Sequence, residues 1–275
     1  MTTKQLEQYV TEKYDKEMLI WEMLLDNNRT NSYIKYIKEN VKGKVVVECG
    51  TGTGFFSWLS AKYGAKKVYS CEQSINLFNK LKERFNSIEE IEVVHCDVFS
   101  DDLPKGDIYL HELFGHCALG EGIMLFLLNC KRQNIENIQP RFLNLVSCNL
   151  KDNFLNKVPV TKETYDASDL DYDLKQFFDI NNKEIDPNSL LFNNEYNIDL
   201  LSNKEMFSGD IFKLLDLDYK TNSNTSYTYF EAGFSLDNFY SSFAKKQNHW
   251  EIDKQQTVGY TNVSRLFIKD INLRR

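Results

Sequence analysis

Apolar and polar positions alternate along the first half of the chain with two different periods. Short apolar runs rich in Val and Ile, which are typical of buried strands, occur at residues 44–49, 66–72, 91–97 and 107–112. Helical spacing of apolar residues occurs at 54–64, 75–86 and 121–131. Because strands that alternate with helices form parallel sheets covered by helices, this half predicts an α/β, Rossmann-like domain over 41–139.

The pattern differs on both sides of that domain. Residues 1–40 are charged and carry an apolar stripe at helical spacing, which predicts N-terminal helices. From residue 140 onwards turns separate strand-like segments, and one helix is predicted at 167–178. The strand-like segments are 142–150, 190–194, 210–219, 227–240 and 256–271. Residues 140–275 therefore predict a mostly antiparallel β domain, a barrel or a sandwich.

Composition and charge indicate which binding partners and which cellular compartment to expect. The formal net charge is −7, which argues against nucleic acid as a partner and suits a cationic substrate. The first residues have no apolar signal core, and no apolar run approaches the ~20 residues that span a bilayer, so we expect a cytoplasmic protein without a membrane partner. The six cysteines form no CxxC pair, so we expect reduced, buried thiols and no metal site.

A glycine-rich segment follows the first predicted strand and opens a helix. Gly50, Gly52 and Gly54 let the backbone approach a ligand closely, and the helix N-terminus offers free N–H groups. The GxGxG spacing, preceded by Glu48, resembles the first motif of class I methyltransferases, whose loop passes under the amino-acid end of S-adenosylmethionine. The resemblance implies that these four residues bind that cofactor.

Carboxylates stand at the ends of the next two predicted strands. Glu72 ends the second strand, where a carboxylate can accept both ribose hydroxyls of a nucleotide. Asp97 ends the third strand, where, with the following Val98, it can meet the adenine ring. Taken alone, Asp97 fits a turn residue equally well. Together with the glycine loop, the two acids predict a cofactor site.

A second acidic pair lies in the segment 111–123. Glu112 and Glu121 are nine residues apart, which would put them on opposite faces of one continuous helix. Gly115, Gly120 and Gly122 instead favour a tight loop that brings the two carboxylates together. A planar guanidinium matches such a pair through paired hydrogen bonds, so the segment predicts an arginine-like acceptor.

Four motifs in the same order resemble the protein arginine methyltransferase family. They are the stretch from Glu22 to Thr30, the glycine loop, the Glu112–Glu121 hairpin and the tripeptide Asn248-His249-Trp250. The resemblance implies that Arg29 binds the cofactor carboxylate and that His249 pairs with Asp26. We expect this pair to hold the C-terminal domain in place; the alternative is that the pair, or one glutamate, accepts the proton released in catalysis. The resemblance also implies that Tyr14, Met23 and Trp250 contact the substrate, with Tyr14 in a lid.

The same resemblance implies an architecture and leaves the acceptor open. Residues 140–275 would be the family's β-barrel, with a dimerisation arm within 158–195 and a homodimer as the assembly. Departures include Ile20 in place of a cofactor-contacting histidine, and Leu113 and Phe114 in place of Trp and Met. The acceptor is then arginine in a protein or peptide or a free arginine-like compound. The alternatives are a different amine or guanidine as acceptor and an inactive partner subunit.

Overall fold

The computed structural model describes six stretches of the chain, which fall into two compact units. The stretches are 18–114, 121–150, 170–183, 200–216, 227–235 and 238–241. The first unit holds the described residues up to His111 together with 137–139 and 170–183, and the second unit holds the others.

The described elements alternate as expected in the first half of the chain. The strands are β1 (Val45–Cys49), β2 (Lys67–Glu72), β3 (Ile91–His95), β4 (Ile108–His111), β5 (Ile138–Gln139), β6 (Phe142–Leu150), β7 (Leu200–Asp210), β8 (Tyr227–Ser235) and β9 (Asn238–Ser241). The helices are α1 (Met18–Leu24), α2 (Asn27–Asn40), α3 (Phe55–Lys62), α4 (Ile75–Arg84), α5 (Ile123–Arg132) and α6 (Tyr172–Ile180).

A five-stranded sheet forms the centre of the first unit, in the order β3-β2-β1-β4-β5. Every pairing in it is parallel, which confirms the prediction of a parallel, Rossmann-like sheet. Valines fill β1 because a strand covered on both faces needs apolar side chains on both. The chain order reverses direction between β1 and β4, and ligands of such sheets bind at the carboxyl ends of the strands beside that reversal.

The second unit contains an antiparallel sheet in the order β7-β6-β8-β9. The strands predicted at 142–150 and 227–240 are present, the latter as the paired strands β8 and β9. The barrel itself stays a prediction, because two further strand-like segments, 190–194 and 256–271, lie outside the described residues.

One strand prediction in the second half is wrong. The segment 210–219 begins with a 3-10 helix, Ile211–Asp216, and its last residues lie outside the described part. Ile211, Leu214 and Leu215 are buried at helical spacing, and Asp210 Oδ1 accepts a hydrogen bond from the Phe212 amide over 3.0 Å. A side-chain cap and one buried apolar face therefore favour the helical turn.

Helix α6 lies within the segment expected to be a dimerisation arm, but its apolar face is covered by the first unit of its own chain. Leu170, Leu174, Phe177 and Phe178 are all buried. The Phe177 ring lies 5.5 Å from that of Trp21 and 5.3 Å from that of Trp58. These side chains are therefore not an exposed docking face, and the homodimer stays a prediction.

Helices in the described part of the chain are all too short or too polar to cross a membrane.

Candidate functional site

The glycine loop after β1 has the backbone geometry that its sequence predicts. Gly50, Gly52 and Gly54 have φ values of 80°, 59° and 82°, which side-chain-bearing residues rarely adopt. The amides of Gly50 and Thr51 both donate to the Cys71 carbonyl of β2 over 3.0 Å. Helix α3 then begins at Phe55, so the loop ends at a helix N-terminus beside the carboxyl end of the sheet.

Close packing makes Gly54 necessary for a second reason. A Cβ on Gly54 would lie 2.4 Å from Phe85 Cζ and 2.8 Å from Leu81 Cδ2, closer than carbon atoms can approach. A Cβ on Gly52 would lie 3.8 Å from Ile20 Cγ2. Helix α4 therefore supports the loop from one side, and Ile20 packs near Gly52.

The Glu72 carboxylate is held by backbone amides at the end of β2. Its Oε2 accepts from the Gly52 amide over 3.0 Å and its Oε1 accepts from the Ser74 amide over 2.9 Å. A carboxylate oxygen can accept more than one hydrogen bond, so these two backbone contacts are compatible with a further contact to a ribose hydroxyl. The side chain is preorganised for the predicted contact and also ties the glycine loop to the second strand.

Asp97 organises the turn after β3. Its carboxylate accepts from the Phe99 amide over 3.0 Å and from the Ser100 hydroxyl over 2.8 Å. The following Val98 is buried. The turn role considered for Asp97 is thus present, and its contact with adenine stays a prediction.

Glu48 lies in a buried hydrogen-bond network beneath the loop. It accepts from the Ser57 hydroxyl of α3, which is 2.7 Å from the Ser70 hydroxyl, and Ser70 donates to Thr51 over 3.1 Å. Burial raises the pKa of Glu48 to about 8, against the opposing effect of the Ser57 hydrogen bond. At neutral pH the protonated carboxyl is therefore favoured, which suits a residue that links the loop to α3. The contact of Glu48 with the cofactor stays a prediction.

The N-terminal helices supply a buried arginine in the first unit. Asp26 caps α2, because its side chain accepts from the Arg29 amide over 3.3 Å. Arg29 is 3% exposed and donates to the Met23 carbonyl. Three further predicted site residues lie outside the described part of the chain. They are the predicted substrate contacts Tyr14 and Trp250 and the predicted partner of Asp26, His249.

The two glutamates of the predicted acceptor site both belong to the second unit. Glu112 and Glu121 are each half-buried. Glu121 stands just before Gly122, which caps α5 in the left-handed conformation with φ 84°. The intervening residues 115–120, where a tight loop is predicted, lie outside the described part, so the convergence of the two carboxylates stays a prediction.

Two features of this region were not anticipated from the sequence. Ser57 and Ser70 are ordinary polar residues in apolar segments, and only the fold brings both to Glu48. Arg84, at the end of α4, donates to the Thr53 carbonyl of the glycine loop over 2.6 Å. Among the described residues, no group of three His, Cys, Asp or Glu side chains is placed to hold a metal ion.

Comparison with known proteins identifies relatives of part of the chain. The family model for ribosomal RNA adenine dimethylase matches residues 13–141. Protein arginine N-methyltransferase 6 of Danio rerio is 36% identical over 109 residues, which are 38% of this chain and 31% of the relative. Protein arginine N-methyltransferase 1 of Saccharomyces cerevisiae is 34% identical over 125 residues, or 43% and 36% of the two chains. The matched part thus spans about a third of the length of these relatives.

A solved structure extends the likeness in fold to most of the chain. The Trypanosoma brucei protein arginine methyltransferase 1 enzyme-prozyme heterotetrameric complex with AdoHcy superposes with a TM-score of 0.54 at 20% identity. The superposition covers 83% of this chain and 77% of the other. The resemblance to the protein arginine methyltransferases is thereby confirmed, in sequence over about two fifths of the chain and in fold over most of it.

Proposed function

We propose that this chain, which is related to the protein arginine N-methyltransferases, transfers a methyl group from S-adenosylmethionine to a guanidino nitrogen of arginine. The observation that carries the proposal is the placement of the glycine loop, Glu72 and Asp97 at the carboxyl ends of β1, β2 and β3 in one sheet. That edge of a doubly wound sheet is where nucleotide-like ligands bind.

The residues at this edge fit the proposed cofactor. The loop of three left-handed glycines leaves room for close approach of a ligand, and Glu72 offers a fixed acceptor for the ribose hydroxyls. Arg29 supplies a buried positive charge for the amino-acid carboxylate, and Val98 supplies an apolar surface for the adenine. The cofactor provides a sulfonium methyl group for displacement by a nitrogen lone pair.

Glu112 and Glu121 are the proposed acceptor residues. A guanidinium is protonated at neutral pH, with a pKa above about 12, so its nitrogens are poor nucleophiles. Two carboxylates would bind it and draw its positive charge away from the attacking nitrogen. Methyl transfer would release S-adenosylhomocysteine, and the alkylated nitrogen would lose one proton to one of the two glutamates or to the His249–Asp26 pair. The positive charge that develops on the guanidino group would be stabilised by the same two glutamates. His249 and Asp26 are proposed to hold the C-terminal domain in place.

A catalytically inactive partner subunit is the second candidate. Ile20 packs near Gly52, at the position where the family has a cofactor-contacting histidine, so one polar contact to the cofactor is missing. The Trypanosoma brucei complex pairs an enzyme with a prozyme, which shows that this fold also serves in such assemblies. A homodimer and a cytoplasmic location are the remaining parts of the proposal.

One side-by-side assay tests these candidates. The purified chain is incubated with methyl-labelled S-adenosylmethionine and, separately, an arginine-rich peptide, free arginine, a lysine-rich peptide and ribosomal RNA. We expect label on the arginine peptide or on free arginine. Label only on the lysine peptide or RNA would exclude the guanidino acceptor, and cofactor binding without transfer to any acceptor would favour the partner-subunit role.

A further inference from the structure

Arg84 connects three parts of the first unit. Its Nη1 donates to the Thr53 carbonyl in the glycine loop over 2.6 Å, and its Nε donates to Asn181 Oδ1 at the end of α6 over 2.7 Å. Its guanidinium carbon lies 5.3 Å from the centre of the Trp21 ring on α1. One planar cation therefore contacts the loop, α6 and the N-terminal helices at once.

Helix α6 reaches this position from the second half of the chain. Described residues on either side of it in sequence, 140–150 and 200–216, belong to the second unit, whereas α6 belongs to the first. Its docking is specific: the buried Asp173 lies 2.7 Å from Lys38 Nζ and 2.5 Å from Lys62 Nζ and accepts from the Tyr63 hydroxyl over 2.9 Å.

Arg84 contacts the loop at a residue whose two neighbours both have left-handed backbone conformations. Thr53 lies between Gly52 and Gly54, both of which have positive φ. A cation fixed on its carbonyl restrains the peptide between two flexible residues. A second donor of the same guanidinium, Nε, contacts Asn181, whose Nδ2 donates to the Phe177 carbonyl of α6 over 2.8 Å.

We propose that Arg84 is a positioning residue through which the docking of α6 sets the conformation of the glycine loop and hence the affinity for the cofactor. The inference rests on the proposed cofactor site. It gives α6 a role in cofactor binding within its own chain.

Arg84→Met tests the link, because methionine keeps an unbranched stem and removes all donors. The dissociation constant for S-adenosylhomocysteine, measured by calorimetry, should rise about 10-fold, in line with the loss of one charge-assisted hydrogen bond. Turnover at saturating cofactor should stay near that of the parent protein. Lys82→Met on the same helix is the matched control, since its ammonium lies over the Phe78 ring, and should leave the dissociation constant unchanged.

A double-mutant cycle separates this link from a general loss of stability. Asn181→Ala, which removes the α6 partner but keeps Arg84, should also weaken S-adenosylhomocysteine binding. In the Arg84→Met background it should add no further weakening, because the connection is already broken. Thermal melts confirm that each variant is folded at the temperature of the titration.

The outcomes distinguish this inference from the proposed function. If the parent protein binds no S-adenosylhomocysteine, the proposed function fails. If the parent protein binds it and Arg84→Met binds equally well, or if the two substitutions weaken binding additively, the link through Arg84 is wrong while the cofactor site stands.

Discussion

The Gly52 amide donates a hydrogen bond to Glu72 Oε2 over 3.0 Å, so the acid at the end of β2 is part of the glycine loop that follows β1. The proposed ribose acceptor and the proposed cradle for the amino-acid end of the cofactor are therefore one structure. A change at Glu72 should affect both, because the same carboxylate orients the loop and accepts from the ligand.

Glu72→Gln should weaken S-adenosylhomocysteine binding about 10- to 100-fold, because a charged acceptor is lost and an amide nitrogen cannot accept from Gly52 or Ser74. Calorimetric titration measures the effect. Glu92→Gln is the control, since Glu92 is exposed on β3 and pairs with Lys67. Equal affinity of the two variants would remove Glu72 from the cofactor site.

Local chemistry in the sequence explains why the loop was predictable. Glycine adopts the left-handed conformations found at Gly50, Gly52 and Gly54 at much lower cost than other residues, so the residue types indicate the backbone geometry. Strands β1 to β4 of the parallel sheet were predictable because each is an apolar run rich in Val and Ile. Strand β5, only two residues long, was not predicted.

Long-range contacts explain what was missed. Arg84 and Asn181 are 97 residues apart in sequence and meet only because α6 docks on the first unit. Strand β7 carries Asn203, Lys204 and Glu205, and its polar residues interrupt the apolar alternation that identifies a strand. The apolar face of α6 was visible as a pattern, but nothing in that pattern indicates which surface covers it.

Gly54→Ala should destabilise the protein more than Gly43→Ala. Both positions have positive φ, but a Cβ on Gly43 meets nothing within 4 Å whereas one on Gly54 collides with Phe85 and Leu81. The backbone cost, about 1 kcal/mol, is common to both, and overpacking adds about 1–3 kcal/mol at Gly54. Urea unfolding of the two variants measures the difference. Equal losses would mean that α4 does not pack against the loop as described.

Glu48 should make stability fall as the pH rises. Burial raises its pKa from 4.5 to about 8, so the folded protein holds a proton that the unfolded chain has released in this range. The contribution of Glu48 is therefore fully present below pH 4.5 and is lost progressively up to about pH 8, with a limiting slope of about 1.4 kcal/mol per pH unit.

Glu48→Gln isolates that contribution, because glutamine resembles the neutral acid and keeps an oxygen for Ser57. The free energy of unfolding of the variant, relative to that of the parent protein, should increase from about pH 5.5 to about pH 8.5. Urea denaturation of both proteins, repeated at intervals of about one pH unit, measures this difference. A difference that does not change with pH would show that Glu48 is ionised throughout.

Asp173→Asn should loosen α6. Burial by itself raises the pKa of Asp173, but hydrogen bonds from Lys38, Lys62 and Tyr63 outweigh it, so the pKa is lowered from 3.8. The ionised Asp173 carboxylate therefore stabilises the folded protein above pH 3.8, and this stabilisation is lost as the pH falls through the lowered pKa of Asp173. At neutral pH the variant should lose about 2 kcal/mol and show faster amide exchange over 172–180. Asp179→Asn, on the exposed side of α6, should behave like the parent protein.

Glu112→Gln and Glu121→Gln test the acceptor site. Each variant keeps the size of the side chain and removes one negative charge, so a bound guanidinium loses a charge-assisted hydrogen bond and part of the field that stabilises its developing charge. We expect turnover on an arginine-rich peptide or free arginine to fall about 10²- to 10³-fold in each single variant. Because both carboxylates act on one group, the double variant should lose much less than the product of the two effects.

The dissociation constant for S-adenosylhomocysteine should change little in these variants, since the proposed cofactor contacts lie on the glycine loop, Glu72 and Asp97. Glu136→Gln, elsewhere in the second unit, is the matched control for loss of charge. Wild-type turnover in both single variants would make the 112–121 segment an ordinary acidic loop and would end the guanidino assignment, while leaving the cofactor site untouched.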